Sequence, residues 1–204
     1  MNRITTYIRQ SLQDIYPPEE VKALSMLICC DMLGVDALDI YMGKDIILSA
    51  CKQRELENII FRLQKNEPIQ YIRGYAEFCG RNFRVAPGVL IPRPETAELV
   101  GLIVKENPDA RRLLDIGTGS GCIAISLDKN LPDAKVDAWD ISEEALAIAR
   151  KNNEELDAQV TFRRRDVFSA DGIQGASYDI IVSNPPYVCL LYTSPSPRDV
   201  EESR

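Results

Sequence analysis

The chain has 204 residues, of which 45% are hydrophobic and 27% charged, as expected for one or two globular domains with a sizeable core. Its net charge of −7 argues against a protein that grips nucleic acid non-specifically through the phosphates. It has neither a run of about 18 apolar residues nor an apolar stretch near its start, so the sequence predicts no membrane span and no signal peptide.

Residues 1–73 are predicted to be helical. Apolar residues recur one turn apart from Ile4 to Ile15, Pro17 and Pro18 interrupt that pattern, and a second helix follows up to Gly34. Ser49 is a candidate N-cap for a third helix. Cys29 and Cys30 are adjacent in an apolar segment, and none of the six cysteines forms a C-x-x-C pair. Free thiols in a reducing cytoplasm are therefore expected.

Residues 74–92 have a different pattern. Two short runs on either side of Gly80 predict a β-hairpin, and the prolines of Pro92-Arg93-Pro94 predict an extended approach to a helix that ends near Asn107.

From residue 111 onward, strands and helices alternate. The pattern predicts strands at 111–115, 135–140, 159–163 and 178–183, with helices at 121–128 and 143–153. Such alternation implies right-handed crossovers and a parallel, doubly wound α/β sheet.

The segment DIGTGSG, from Asp115 to Gly121, lies between the first of these strands and the first helix. Glycines there let the backbone turn sharply and approach a ligand, and the N–H groups that open the helix are free to bind it. The spacing is G-x-G-x-G and differs from the dinucleotide pattern, so it suits a ligand with ribose and amino-acid parts better than a pyrophosphate. A tight turn that binds nothing is the alternative.

Two further carboxylates follow strand ends. Asp140 ends the second strand and could accept hydrogen bonds from ribose hydroxyls, although it could also be a helix N-cap, a role for which Ser142 is better suited. Asp166 follows the third strand and could accept from the exocyclic amine of an adenine. A solvated loop aspartate is the alternative there.

Asn184-Pro185-Pro186-Tyr187 follows the fourth strand directly. The prolines hold the chain extended, so that the Asn184 side-chain oxygen and the Pro185 carbonyl can accept from a planar NH₂ group. Tyr187 offers a face for a flat substrate. A proline-rich strand exit without a ligand is the alternative. The chain has no histidine, which excludes a histidine-based triad or zinc site, and no metal site is predicted.

The glycine segment, Asp140 and NPPY together resemble a class I S-adenosylmethionine-dependent methyltransferase that acts on a planar amino group. Longer stretches resemble the HemK-like peptide chain release factor glutamine methyltransferases: QYIRGYAEFCGRNFRV (70–85), VLIPRPETAELV (89–100), LLDIGTGSGCIAISL (113–127) and YDIIVSNPPYV (178–188). NPPY alone is shared with adenine DNA methyltransferases, whereas the four stretches together are specific.

The resemblance implies a class I Rossmann-like sheet, incomplete at about four strands, and methylation of the glutamine amide in the Gly-Gly-Gln motif of a release factor. It implies an N-terminal helical docking domain (1–73), a hairpin linker (74–92) and a catalytic domain (93–188). The implied roles are cofactor binding by Asp115, Gly117, Thr118, Gly119, Ser120, Gly121, Asp140, Asp166, Val167 and Asn184, substrate binding by Asn184, Pro185, Pro186 and Tyr187, and catalysis by Asn184.

The end of the chain departs from the family pattern. Residues 189–204 are expected to be disordered and non-native, and the catalytic domain truncated, so that the strand at 178–183 is left at an edge and the chain as written is inactive. When full-length, the enzyme is expected to be a cytoplasmic monomer that acts on a protein and not directly on nucleic acid. The alternatives are an adenine-directed nucleic-acid methyltransferase, against which the net charge of −7 counts, and an inactive fragment of the family, which a cofactor-binding titration would identify.

Overall fold

The computed structural model describes residues 3–169 and 177–185. These residues form two compact units: a helical unit that runs up to Ala76 and includes Val85–Pro87, and an α/β unit made of Glu77–Arg84 and the residues from Gly88 onward.

The helical unit consists of short helices around a core of its own. Ile4, Ile8 and Leu12 are buried one turn apart on the first helix, because a 3.6-residue period brings them to one face. Ile15, expected on that face, lies beyond the end of the helix and is 41% exposed. The elements are α1 (Arg3–Leu12), α2 (Pro18–Met26), which continues as a π-helical segment (Leu27–Met32), α3 (Ala37–Tyr41), α4 (Ala50–Gln64) and α5 (Ile69–Arg73).

The short helices α3 and α5 are absent from the sequence prediction. Asp36 caps α3 by accepting from the Leu38 N–H at 2.7 Å, and α5 ends at Gly74, whose φ of +84° closes the helix. Five residues are too few to display an amphipathic period, so only their caps mark them. The predicted cap of α4 is confirmed, since Ser49 Oγ accepts from the Lys52 N–H at 3.3 Å.

The predicted hairpin is formed by β1 (Tyr75–Phe78) and β2 (Arg81–Arg84). Its turn uses positive φ angles at Cys79 and Gly80. Phe78 and Phe83 are buried and meet edge to face, with ring centroids 5.9 Å apart.

The α/β unit has a four-stranded parallel sheet. Its further elements are α6 (Pro94–Glu106), β3 (Arg112–Ile116), α7 (Cys122–Asn130), β4 (Lys135–Asp140), α8 (Glu143–Glu155), β5 (Thr161–Arg164) and β6 (Ile180–Ser183). The strand order is β5-β4-β3-β6, and every pairing is parallel, which confirms the predicted fold class. The order reverses direction between β4 and β6, with β3 in the middle, and ligands of open α/β sheets bind at such a point.

Strand ends differ from the prediction by one or two residues. Leu113, Val136 and Val182 lie on the sheet face that packs into the main core with α6 and α7. Among the described strands β6 is at an edge, as expected, and it buries only one face: Val182 is 6% exposed and Ile181 49%.

Candidate active site at the carboxyl ends of the strands

The glycine segment forms a tight loop fastened to the end of β4. The N–H groups of Gly117 and Thr118 both donate to the Trp139 carbonyl, at 2.8 and 3.0 Å, and the Gly121 N–H donates to the Thr118 carbonyl at 2.9 Å. All three glycines have positive φ, so the loop conformation itself selects glycine.

The glycines differ in what surrounds them. A Cβ on Gly117 or Gly119 would meet nothing within 4 Å, so these residues border open space. A Cβ on Gly121 would lie 3.1 Å from Ile125 Cδ1 and 3.2 Å from Ala149 Cβ. The open side of the loop, where a ligand can approach the backbone, is therefore at Gly117 and Gly119, whereas Gly121 is required for packing.

Asp115 is fully buried at the end of β3, beneath this loop. Its Oδ2 accepts from Thr118 Oγ1 at 2.7 Å, and its Oδ1 accepts no hydrogen bond within the described residues. The pKa of Asp115 is raised to about 6, chiefly by burial and to a smaller extent by nearby Asp140, against the lowering effects of the Thr118 hydroxyl and the Ala124 N–H.

The other loop side chains are turned into the protein. Thr118 and Ser120 are buried, and the Thr118 hydroxyl is committed to Asp115. Cys122, the first residue of α7, is also buried, and burial raises the pKa of its thiol to about 12, so it is no nucleophile at neutral pH. The side chains of Thr118 and Ser120 are thus turned away from the open side of the loop.

Asp140 ties the loop to the start of α8. Its Oδ2 accepts from the Gly119 N–H and its Oδ1 from the Ser142 N–H, each at 2.9 Å. Ser142 is the N-cap of α8, since its Oγ accepts from the Ala145 N–H at 3.2 Å, so Asp140 is free of that role. Each carboxylate oxygen keeps a second lone pair for a ligand.

Asp166 and Val167 follow β5 and are exposed. The Arg165 N–H donates to the Asp140 carbonyl at 3.0 Å, which brings this segment to the same end of the sheet as the glycine loop. Asp166 Oδ1 accepts from the Phe168 N–H at 2.9 Å and shapes the turn. No hydrogen bond joins its carboxylate to Asp115 or Asp140 in the described chain.

Asn184 and Pro185 leave β6 beside the loop. Ser183 pairs with Ile116, the residue before Gly117, and its Oγ donates to the Ile116 carbonyl at 2.8 Å. Asn184 is partly buried and its Nδ2 donates to Thr96 Oγ1 at 3.0 Å, while Pro185 is exposed. Pro186 and Tyr187 lie outside the described residues, so their predicted roles stay predictions.

Asn152 hydrogen-bonds to the glycine loop, a role that the sequence analysis did not predict. It is buried on α8, where Nδ2 donates to the Ser120 carbonyl at 2.8 Å and to the Arg84 carbonyl at 3.1 Å, and Oδ1 accepts from the Arg84 N–H at 2.7 Å. It follows Ala145 and Ala149 on the buried face. The sequence does contain a sign of this role, because a polar residue occupies a position on the face of the helix that is otherwise apolar.

The helical N-terminal part of the chain and its α/β part each match the model of a known protein family. Residues 4–74 match the model described as the PrmC N-terminal domain, and residues 96–194 match the methyltransferase small domain.

Several curated relatives carry the name release factor glutamine methyltransferase, and three of them illustrate the range of similarity. The protein of Bacteroides thetaiotaomicron is 98% identical over 188 residues, which are 92% of this chain and 68% of that protein. The protein of Flavobacterium psychrophilum is 40% identical over 90% of this chain and 66% of its own length. That of Koribacter versatilis is 51% identical over 76% and 56%, so the chain spans roughly two thirds of its relatives or less.

Among solved structures, the Thermus thermophilus 16S rRNA N2 G1207 methyltransferase in complex with AdoMet and guanosine is similar at a TM-score of 0.48 and 25% identity, over 56% of this chain and 33% of that one. The Pyrococcus abyssi tRNA (uracil-54, C5)-methyltransferase is similar at 0.45 and 21% identity, over 62% and 30%.

Proposed function

The chain belongs to the release factor glutamine methyltransferase family, as its sequence predicted, and from that premise we propose that it serves methylation of a release factor glutamine. The acceptor is the side-chain amide nitrogen of the glutamine in the Gly-Gly-Gln motif, and the donor is S-adenosylmethionine. The observation that carries this proposal is the pairing of Ser183 with Ile116, because it brings the Asn184-Pro185 acceptor pair next to the glycine loop.

The residues of the glycine loop fit the cofactor. The loop borders open space at Gly117 and Gly119, where a ligand can lie against the backbone. Asp140 has lone pairs left for ribose hydroxyls, and the unpaired Oδ1 of Asp115 lies buried beneath the loop. Two carboxylates at one end of the sheet also favour a ligand that carries positive charge.

The cofactor supplies the methyl group, bound to a positively charged sulfur. The protein's task is to orient a poor nucleophile, since the lone pair of an amide nitrogen is delocalised. The side-chain oxygen of Asn184 and the carbonyl of Pro185 accept from the two N–H donors of the glutamine and fix its orientation. Orientation of this kind contributes up to about 7–11 kcal/mol to catalysis. The amide nitrogen becomes strongly acidic once it carries the methyl group, so its proton can pass to water and no strong base is required.

The remaining contacts extend the same arrangement. Asp166 and Val167 would hold the adenine of the bound cofactor, and Pro186 and Tyr187 would bind the glutamine, as the resemblance to the family implies. The helical unit docks the release factor, and the enzyme acts as a monomer in the cytoplasm, where translation takes place. No helix within residues 3–169 or 177–185 is long and apolar enough to cross a membrane.

The test uses a chimera in which the 188 matched residues of this chain are joined to the remainder of the Bacteroides thetaiotaomicron relative. The chimera is incubated with labelled cofactor and a purified release factor, and the matched control is the same release factor with Gly-Gly-Gln changed to Gly-Gly-Ala. Label in the first protein and none in the second supports the proposal. Transfer to DNA instead of the release factor would favour the adenine-directed alternative, which the net charge of −7 disfavours.

A further inference from the structure

Within the part of the chain that the structure describes, the side chain of Asn184 makes one hydrogen bond, to a threonine that precedes it by 88 residues. Asn184 Nδ2 donates to Thr96 Oγ1 at 3.0 Å, and within the described residues Oδ1 of Asn184 accepts no hydrogen bond. Thr96 is 7% exposed, so few other donors or acceptors reach its hydroxyl.

Thr96 lies in the first turn of a helix, which restricts its position. It is the third residue of α6, which begins at Pro94, and its N–H donates to the Arg93 carbonyl at 3.0 Å. A threonine in a helix is largely confined to two χ1 rotamers, so its hydroxyl has few accessible positions. Because α6 packs against α7, this hydroxyl belongs to the same packed layer as the helix that follows the glycine loop.

The bond anchors one end of the Asn184 amide, although a threonine hydroxyl could also donate to the amide oxygen if the amide were rotated. With the nitrogen directed to Thr96, the oxygen is left for another partner. Rotated by half a turn, the amide would present its NH₂ group instead. A substrate NH₂ group can bind only to an acceptor, since two donors cannot pair.

We propose that Thr96 is a positioning residue that keeps the side-chain oxygen of Asn184 available to the substrate amide. This inference rests on the proposed function for the identity of the substrate. The contact between Asn184 and Thr96, however, is a property of the protein alone and can be measured without substrate.

The first measurement is therefore structural. In the chimera, with asparagine labelled with ¹⁵N, the side-chain NH₂ signals of Asn184 are identified by their absence in Asn184→Ala. Thr96→Val, which keeps the shape and removes the hydroxyl, should shift or broaden these signals, and Thr96→Ser should leave them near their original positions. Signals that stay unmoved in Thr96→Val would overturn the proposal whether or not the enzyme methylates a release factor.

The second measurement is kinetic. Thr96→Val should lower kcat for release factor methylation about tenfold or more, the effect of one misplaced hydrogen bond, while cofactor affinity and melting temperature change little. Thr96→Ser should restore most of the rate. Thr161→Val, at an exposed threonine on β5, is the matched control and should have no effect.

A double-mutant cycle separates positioning from general stability. Once Asn184 is alanine, Thr96→Val should cause no further loss of any residual rate, because its effect passes through Asn184. Additive losses, or a fall in melting temperature that Thr96→Ser does not reverse, would show that Thr96 only stabilises α6 and would overturn the proposal. Absence of release factor methylation by the parent chimera would instead count against the proposed function.

Discussion

The carboxylate of Asp140 accepts a hydrogen bond from the Gly119 N–H at 2.9 Å, so the acidic residue that ends β4 also shapes the glycine loop. The sequence suggested a contact with ribose hydroxyls, and the structure adds an intramolecular role. A substitution at Asp140 should therefore disturb the ligand site in two ways.

Replacement of Asp140 by alanine in the chimera should weaken cofactor binding by about 1–3 kcal/mol, because a ligand acceptor is lost and the loop is released. Asp140→Asn retains one acceptor oxygen and should have an intermediate effect. Isothermal titration of the three proteins with cofactor makes the comparison. An Asp140→Ala isotherm that overlays that of the parent would rule out the ribose contact.

Asn184→Ala should remove nearly all methyl transfer to the release factor, leaving a small residual rate, while the affinity for cofactor stays within a few-fold of the parent. The side chain is proposed to orient the substrate amide, and its only hydrogen bond within the described residues is to Thr96. Transfer rates and cofactor titrations are measured on the same preparation. Equal losses of rate and of cofactor affinity would contradict the assigned role.

Asp115 should make the stability of the enzyme depend on pH. Its pKa is about 6 in the folded protein against an ordinary value of 3.8, so the folded state binds the proton more tightly than the unfolded state. The stabilisation that the proton on Asp115 gives the folded state is fully present below pH 3.8 and is lost as the pH rises through 6. At neutral pH the free energy of unfolding is therefore lower by about 3 kcal/mol than it would be with Asp115 protonated.

Asp115→Asn in the chimera removes that charge. We expect a higher free energy of unfolding at pH 7.5, a smaller gain near pH 4, and weaker binding of the positively charged cofactor. Urea titrations at several pH values provide the test. If the variant and the parent differ by the same amount at pH 4 and 7.5, the raised pKa is not the cause.

Gly119 and Gly121 form a matched pair for the two functions of the loop. Alanine at either position must adopt a positive φ, at a cost of about 1–2 kcal/mol. At Gly121 the added Cβ also crowds Ile125 and Ala149, which should cost roughly another 1–3 kcal/mol. At Gly119 it enters open space and should mainly impair cofactor binding.

Thermal unfolding and cofactor titration of the two variants separate these effects. Gly121→Ala should lose more stability, and Gly119→Ala more affinity relative to its stability. Equal stability of the two variants would contradict the assignment of Gly121 to packing.

The sequence was sufficient for the parts of the site that are local. The glycine loop, Asp140 and Asn184 each follow a predicted strand, and parallel pairing brings the ends of neighbouring strands together. Thr96 and Asn152 could not be predicted in their roles, because their partners lie up to 88 and 68 residues away and depend on how α6, α8 and the hairpin pack. Helices α3 and α5 were missed because each is shorter than two turns.

The bonds of Asn152 join the hairpin to the loop, with a consequence for amide exchange. One side chain binds both the Arg84 N–H and the Ser120 carbonyl. Ordering of the glycine loop therefore also stabilises the position of β2. By thermodynamic linkage, a ligand held by the loop should also slow opening of the hairpin. We therefore expect cofactor to increase deuterium protection at the Arg84 amide in the parent chimera but not in Asn152→Ala, and equal protection gains in both would exclude this coupling.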